Sequence, residues 1–87
     1  RIPYGTPIDS RSLGMIESAE DVLFDMGIRA CRVRHHGDMA RIEVSPSEFE
    51  FIMSSEMRSR IIDRLRAVGY RFVTLDLEGY VQGSLNR

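Results

Sequence analysis

The sequence predicts a small α+β domain, a two-layer sandwich in which helices cover one face of a three-stranded, mostly antiparallel sheet. Two segments with apolar residues at helical spacing each end at a glycine, which predicts two helices. Two short alternating segments flank a glycine-containing turn, and a third lies near the end of the chain, which predicts three strands. With one further short helix, the predicted order of elements is α-β-β-α-α-β.

The composition fits one soluble globular domain. The chain has 87 residues, with a hydrophobic content of 43% and a charged content of 29%. A formal net charge of −1 provides no global attraction to nucleic acid or to an anionic membrane, so neither is an expected partner. The single cysteine, Cys31, excludes an internal disulfide. No apolar run approaches the roughly 20 residues of a membrane span, and a cytoplasmic location is expected.

The first nine residues differ from the rest of the chain. Residues 1–9 contain two prolines and a glycine, which disfavour regular structure and predict a linker or docking strap. The chain opens with Arg1 rather than methionine, so we expect it to begin inside a parent protein, after an upstream domain. Residues 10–87 are then expected to form a single α+β domain.

The first helix is predicted from about residue 10 to residue 26, and Gly27 provides its C-terminal cap. Its apolar arc consists of Leu13, Ile16, Ala19, Leu23 and Met26. Glu20 projects into this arc. A carboxylate in that position must be paired, be exposed at an edge or face a partner domain, and such groups are enriched at functional sites. Glu20 is therefore a candidate site residue, and its structural alternative is a paired carboxylate at the end of the helix layer.

A β-hairpin is predicted next, with strands over 30–35 and 39–44. A two-residue turn would place Arg34 opposite Arg41 and Arg32 opposite Glu43, so three arginines would share one face. Opposed like charges destabilise a strand pair, so this arrangement calls for an anion. A ligand phosphate is one such anion. A solvated face with carboxylate counter-charges from Glu43 and Asp76 is the alternative.

The second half of the chain predicts two helices and a strand. A serine, a proline and a glutamate begin a short helix over about 46–53, a second helix follows over about 56–68, and Gly69 caps it. The last strand is predicted over 71–77, with three apolar residues inward: Val73, Leu75 and Leu77. No metal site is predicted, because the adjacent histidines of the hairpin point to opposite faces of its strand.

Three parts of the sequence resemble one protein family in the same order. They are RIPYGT at residues 1–6, RVRHHGDMARIE at residues 32–43, and FVTLDLEGY at residues 72–80 followed by GSLN at residues 83–86. The chain resembles the ATP-dependent sacrificial sulfur transferases of the PP-loop ATP pyrophosphatase superfamily. These enzymes supply sulfur to the pyridinium mononucleotide that becomes the nickel-pincer cofactor of lactate racemase. The resemblance covers essentially the whole chain.

The resemblance implies that the chain is the C-terminal, phosphate-binding domain of such an enzyme. The ATP-binding serine-glycine-glycine loop and the sulfur-donating cysteine would lie upstream of Arg1, in an N-terminal PP-loop ATPase domain that is the expected partner. ATP and Mg²⁺ are implied for the full-length enzyme, which is expected to be a homo-oligomer, and no cofactor is expected on this chain alone. Cys31 does not match the donor motif, so a sacrificial cysteine and an iron-sulfur cluster both stay open as sulfur sources.

The resemblance also implies site residues. Arg1, Glu20, Arg32 and Arg34 match positions that the family associates with its active site and phosphate site. Glu20 is thereby a candidate catalytic residue, and Arg1, Arg32 and Arg34 are candidates for binding the phosphate of a mononucleotide substrate, with Arg41 adding charge beside them. The whole enzyme would adenylate a carboxylate of that substrate and then transfer sulfur to it, and the isolated chain is expected to be inactive.

Two other functions compete with this one. A non-enzymatic module that mediates oligomerisation or another protein interaction has the same size and fold class, and fold alone does not separate the two. RNA binding by the strand face that the three arginines share is disfavoured by the net charge of −1 and by the presence of a single aromatic residue, Phe72, on the predicted sheet.

Overall fold

The computed structural model describes residues 9–80. It contains three α-helices, a 3₁₀ turn and three strands: α1 (Ser10–Asp25), β1 (Cys31–His36), β2 (Met39–Val44), the turn Pro46–Glu48, α2 (Phe49–Ile52), α3 (Ser55–Val68) and β3 (Phe72–Leu75). The α+β class and the order of elements are confirmed. Arg1, the rest of the predicted strap up to residue 8, and the polar tail from residue 81 onward lie outside the described residues.

The sheet is mixed, with one antiparallel and one parallel strand pairing. Its strand order is β1-β2-β3; β1 pairs antiparallel with β2, and β2 pairs parallel with β3. The parallel pairing has a simple physical reason. Two helices and a turn connect β2 to β3, which is long enough for the crossover that a parallel pairing requires, and the packing of these helices brings β3 alongside β2 in the same direction.

Both long helices end in the same way. Gly27 and Gly69 have φ values of 100° and 131°, which residues with a side chain rarely adopt. The amides of the next residues, Ile28 and Tyr70, each donate to the carbonyl five residues earlier, at 3.0 and 3.2 Å. This is the Schellman pattern, and it turns the residue after each glycine into the core. Ile28 is fully buried and Tyr70 is 1% exposed.

The hydrophobic core lies between the helices and the sheet, because α1 packs on β1 and on α3, and α3 packs on β3. Its large buried members come from α1, β1, β2, α3 and the residues that follow the two long helices: Leu23, Ile28, Val33, Ile42, Val44, Ile61, Leu65 and Tyr70. Leu77 was expected to face this core and is instead 83% exposed, because β3 ends at Leu75 and the chain then turns. Within the described chain, no helix is long and apolar enough to cross a membrane.

Candidate functional site

The predicted register of the hairpin is confirmed. Arg32 pairs with Glu43 and Arg34 pairs with Arg41 across β1 and β2, so the three arginines and Glu43 share the face of the sheet opposite the core. We call these four residues together with Asp76 the arginine face. The alternation of the two strands produces this grouping, because the intervening residues Val33 and Ile42 point into the core.

Glu43 is the centre of the arginine face. Its side chain is 2% exposed although it lies on the side of the sheet away from the core. One carboxylate oxygen, Oε2, lies 3.2 Å from Nε of Arg34 and 3.3 Å from Nη2 of Arg41. The opposed Arg34 and Arg41 are thus bridged by a protein carboxylate. Because both guanidinium groups contact the same oxygen, Glu43 fixes their relative position as well as reducing their repulsion.

Arg41 lies between two carboxylates. Besides its contact with Glu43, its Nε atom lies 3.7 Å from Oδ2 of Asp76, on the segment that follows β3. That Nε atom is buried and has no hydrogen-bond partner within the described part of the chain. The side chain of Arg41 is therefore held mostly by charge attraction from Asp76 and by one hydrogen bond to Glu43.

Arg32 has a different environment. Its guanidinium carbon lies 5.9 Å from the centre of the Tyr80 ring, within the range of a cation–π contact. Tyr80 is held there because its amide donates to the carbonyl of Val44 at 2.8 Å. Gly79 makes the close approach possible, since it has φ 83° and a Cβ there would lie 2.8 Å from that carbonyl oxygen. Arg32 is exposed, and no ion pair to a carboxylate is found for it among residues 9–80.

The charges of the arginine face do not cancel. Three guanidinium groups face two carboxylates, so one positive charge remains in excess. The excess charge lies towards β1, because both carboxylates contact Arg41 and neither contacts Arg32. Arg34 uses its Nε for Glu43 and is 37% exposed, which leaves its terminal N–H groups for another acceptor. This arrangement can bind one small anion at β1.

Glu20 lies at the edge of β1. Its Oε2 accepts a hydrogen bond of 3.0 Å from the amide of Val33, the residue between Arg32 and Arg34. The sequence left three environments open for this carboxylate, and the structure gives it a backbone partner at a sheet edge. Glu20 lies on the helix side of that edge and the arginines lie on the other side, so the two predicted groups flank one strand, and within residues 9–80 no ion pair joins them.

Cys31, at the start of β1, is half-buried. Burial, followed by the charge of Glu20, raises the pKa of the Cys31 thiol to about 11. The thiol is therefore protonated at neutral pH and is a poor nucleophile. The same two causes, burial first and Glu20 second, raise the pKa of Tyr70.

Tyr70 and His35 form a polar contact that the sequence did not indicate. The hydroxyl of Tyr70 lies 2.9 Å from Nδ1 of His35, and the two rings meet edge to face at 5.4 Å. This pairing satisfies the hydroxyl of a buried tyrosine. His36 points to the opposite face and is exposed, as expected for adjacent strand residues. Within residues 9–80, no group of three or more metal-ligating side chains could hold a metal ion.

Comparisons with known proteins place this geometry in context. No family model matches the chain. The chain is 36% identical, over 99% of its length, to the pyridinium-3,5-bisthiocarboxylic acid mononucleotide synthase of Lactiplantibacillus plantarum. The resemblance indicated by the sequence is confirmed. The chain is also 36% identical, over 100% of its length, to an uncharacterized protein of Synechocystis sp.. It spans 30% and 32% of the lengths of these two relatives.

Two features of the site were not foreseen in the sequence. The first is the burial of Glu43, which the alternation of β2 assigns to an exposed face. Its signal was the surrounding charge, because Glu43 lies opposite Arg32, diagonal to Arg34 and two residues from Arg41 on the same strand, so that arginine side chains can cover it. The second is the contact of Tyr80 with Arg32, which depends on a turn after β3 that local patterning does not predict.

Proposed function

We propose that this chain is the substrate-binding and phosphate-binding domain of an ATP-dependent sulfur transferase that sulfurates a carboxylate of a pyridinium mononucleotide. Two facts support the proposal. The first is the identity of 36% over 99% of the chain with a synthase whose name specifies a thiocarboxylic acid mononucleotide. The second, which carries the proposal, is the excess positive charge at Arg32 and Arg34 on β1, where a phosphate would balance it.

Arg32 and Arg34 have the placement that a phosphate requires. Two residues apart on one strand, their Cα atoms lie about 7 Å apart and their side chains leave the same face. Each guanidinium presents parallel N–H groups that match two phosphate oxygens. Arg41 contributes in this proposal mainly as charge, since Glu43 and Asp76 already contact it. Arg1 is proposed as a further phosphate contact and lies outside the described residues.

The reaction itself would use groups beyond this chain. Cys31 is unsuited to donate sulfur as a thiolate, since its pKa of about 11 keeps it protonated. Within residues 9–80, no cluster of carboxylates or other metal-ligating side chains fits Mg²⁺. We propose that a PP-loop ATPase domain of the same polypeptide supplies the sulfur donor and the site for ATP and Mg²⁺. We also propose that the complete enzyme is a homo-oligomer.

The proposal is tested by NMR titration of the chain with inorganic phosphate at low ionic strength, following the Nε signals of the arginines. Shifts should centre on Arg32 and Arg34, with smaller shifts at Arg41. They should vanish in the double variant Arg32→Ala, Arg34→Ala. Low salt matters because the site is open to solvent, where charges separated by more than about 10 Å are screened at 0.1 M salt.

Two controls sharpen the titration. The double variant Arg32→Lys, Arg34→Lys keeps the charge and loses the planar fork, so it should bind more weakly than the parent. Arg58→Ala removes an exposed arginine of α3 and should leave the phosphate shifts unchanged. Arginine signals that stay unperturbed at millimolar phosphate would reject the phosphate site. That result would favour the alternative of a non-enzymatic interaction module, which could use exposed apolar side chains such as Phe24 and Leu77 as contacts.

A further inference from the structure

The hydrogen bond between Glu20 and the backbone of β1 connects two groups that the sequence could only treat separately. β1 is an edge strand, paired on one side with β2. The hairpin closes with a two-residue turn, so the flanking pair His36 and Met39 is hydrogen-bonded and the pairs alternate from there. By this alternation the amide of Val33 points away from β2. It would be an unpaired edge amide without Glu20.

This amide has a special place in the chain. Val33 lies between Arg32 and Arg34, and its side chain is 3% exposed in the core. Its position along the edge therefore determines where both neighbouring arginines leave the opposite face. Glu20 holds Val33 in that position, because its Oε2 atom accepts a hydrogen bond of 3.0 Å from the Val33 amide. The neighbouring residue in α1, Ala19, is fully buried, which fixes this part of the helix against the core.

We propose that Glu20 is a positioning residue, which anchors the edge of β1 through the Val33 amide and thereby sets the spacing of Arg32 and Arg34 for an anion. This inference rests on the proposed phosphate site and assigns Glu20 a part in it that requires no contact with the substrate. In this role Glu20 must place an acceptor oxygen within hydrogen-bond distance of the Val33 amide. The negative charge of the carboxylate is secondary.

Two substitutions separate the effect of side-chain length at position 20 from the effect of its charge. Glu20→Gln removes the charge and keeps an acceptor oxygen at the same distance from the helix. Glu20→Asp keeps the charge, but the side chain is shorter by one bond of about 1.5 Å, so its oxygens fall outside hydrogen-bond range of Val33. Glu20→Ala removes both properties. Glu17→Ala, at an exposed position of the same helix, makes the same substitution without touching β1 and is the matched control.

The experiment measures two quantities for each variant of the 87-residue chain: hydrogen exchange of the Val33 amide and the affinity for inorganic phosphate, both by NMR. We expect Glu20→Gln and Glu17→Ala to resemble the parent. Glu20→Asp and Glu20→Ala should exchange the Val33 amide roughly tenfold faster or more and bind phosphate roughly threefold to tenfold more weakly, because the loss of a typical intramolecular hydrogen bond changes an equilibrium by a factor of this order.

The possible results lead to different conclusions. If the parent chain binds no phosphate, the proposed function fails, whatever the exchange rates are. If the parent binds phosphate and Glu20→Asp binds as well as the parent, the positioning role is wrong and the phosphate site survives. If Glu20→Gln loses affinity while Glu20→Asp keeps it, the charge of Glu20 is what matters, as expected of a catalytic carboxylate. If Glu20→Ala fails to fold, the comparison of Glu20→Gln with Glu20→Asp still tests the positioning role.

Discussion

Replacing Glu43 by glutamine tests whether its buried carboxylate holds the arginine face together. Glutamine has almost the same shape, so the substitution removes charge without creating a cavity. Two ion-pair contacts, to Arg34 at 3.2 Å and to Arg41 at 3.3 Å, become hydrogen bonds from a charged guanidinium to a neutral amide oxygen. The attraction between the charges of a partly exposed ion pair contributes up to about 1 kcal/mol, so each contact loses about 1 kcal/mol.

The expected loss in the free energy of unfolding is therefore about 2 kcal/mol. Arg34 and Arg41 are 37% and 35% exposed, so water screens part of their mutual repulsion and the loss should not greatly exceed this value. Urea unfolding monitored by circular dichroism measures it. With a slope near 1 kcal/mol per molar urea for a domain of this size, the midpoint should fall by roughly 2 M.

A matched control and a double-mutant cycle complete the test. Glu50→Gln, on the exposed side of α2, should change the free energy of unfolding by less than about 0.5 kcal/mol. In a cycle with Arg34→Ala, the coupling energy between residues 34 and 43 should be roughly 1 kcal/mol or more. If the loss for Glu43→Gln is no larger than that for Glu50→Gln, Glu43 is effectively solvated and does not hold the arginine face together.

Three other substitutions and one chemical modification test further features of the structure. Gly79→Ala should destabilise the fold by roughly 1–3 kcal/mol in urea unfolding, since φ is 83° and the new Cβ would lie 2.8 Å from a carbonyl oxygen; Gly14→Ala, inside α1 with no atom within 4 Å, should instead stabilise it by ~0.5–1 kcal/mol. Tyr70→Phe removes the hydroxyl that meets His35 and should cost about 1 kcal/mol in the same assay. Cys31 should react slowly with iodoacetamide at pH 8, because a thiol with a pKa of about 11 is roughly 0.1% ionised at that pH. The reaction rate should rise about tenfold per pH unit up to pH 10. A fast reaction at pH 8 would contradict the raised pKa.

Local chemistry made much of the fold predictable. The glycines at positions 27 and 69 end the two long helices because only a positive φ allows the Schellman turn, and the sequence marks both of them directly. The two-residue turn after His36 set the hairpin register to the residue, which fixed the partners of Arg32 and Arg34. The direction of β3 was not predictable in this way, because its pairing with β2 depends on how the intervening helices pack.

The candidate site was predictable to a smaller extent. Alternation along β1 and β2 correctly grouped the arginines on one face, because side-chain direction in a strand depends only on parity. Alternation also assigned Glu43 to that face, and it cannot tell that neighbouring side chains bury the carboxylate. The bond from Glu20 to the amide of Val33 joins residues 13 positions apart on different elements. Such a contact requires the packing of α1 against the sheet edge, which the helical periodicity of α1 does not specify.

We propose that the excess positive charge at Arg32 and Arg34 binds the phosphate of a pyridinium mononucleotide. The most direct test compares nicotinic acid mononucleotide with its nucleoside, which lacks only the phosphate, in NMR titrations of the same chain at low ionic strength. The mononucleotide should shift the arginine signals of β1 and bind at least tenfold more tightly than the nucleoside, because the nucleoside cannot form the charge-assisted hydrogen bonds. Equal affinities for the two ligands, or shifts that avoid Arg32 and Arg34, would contradict it.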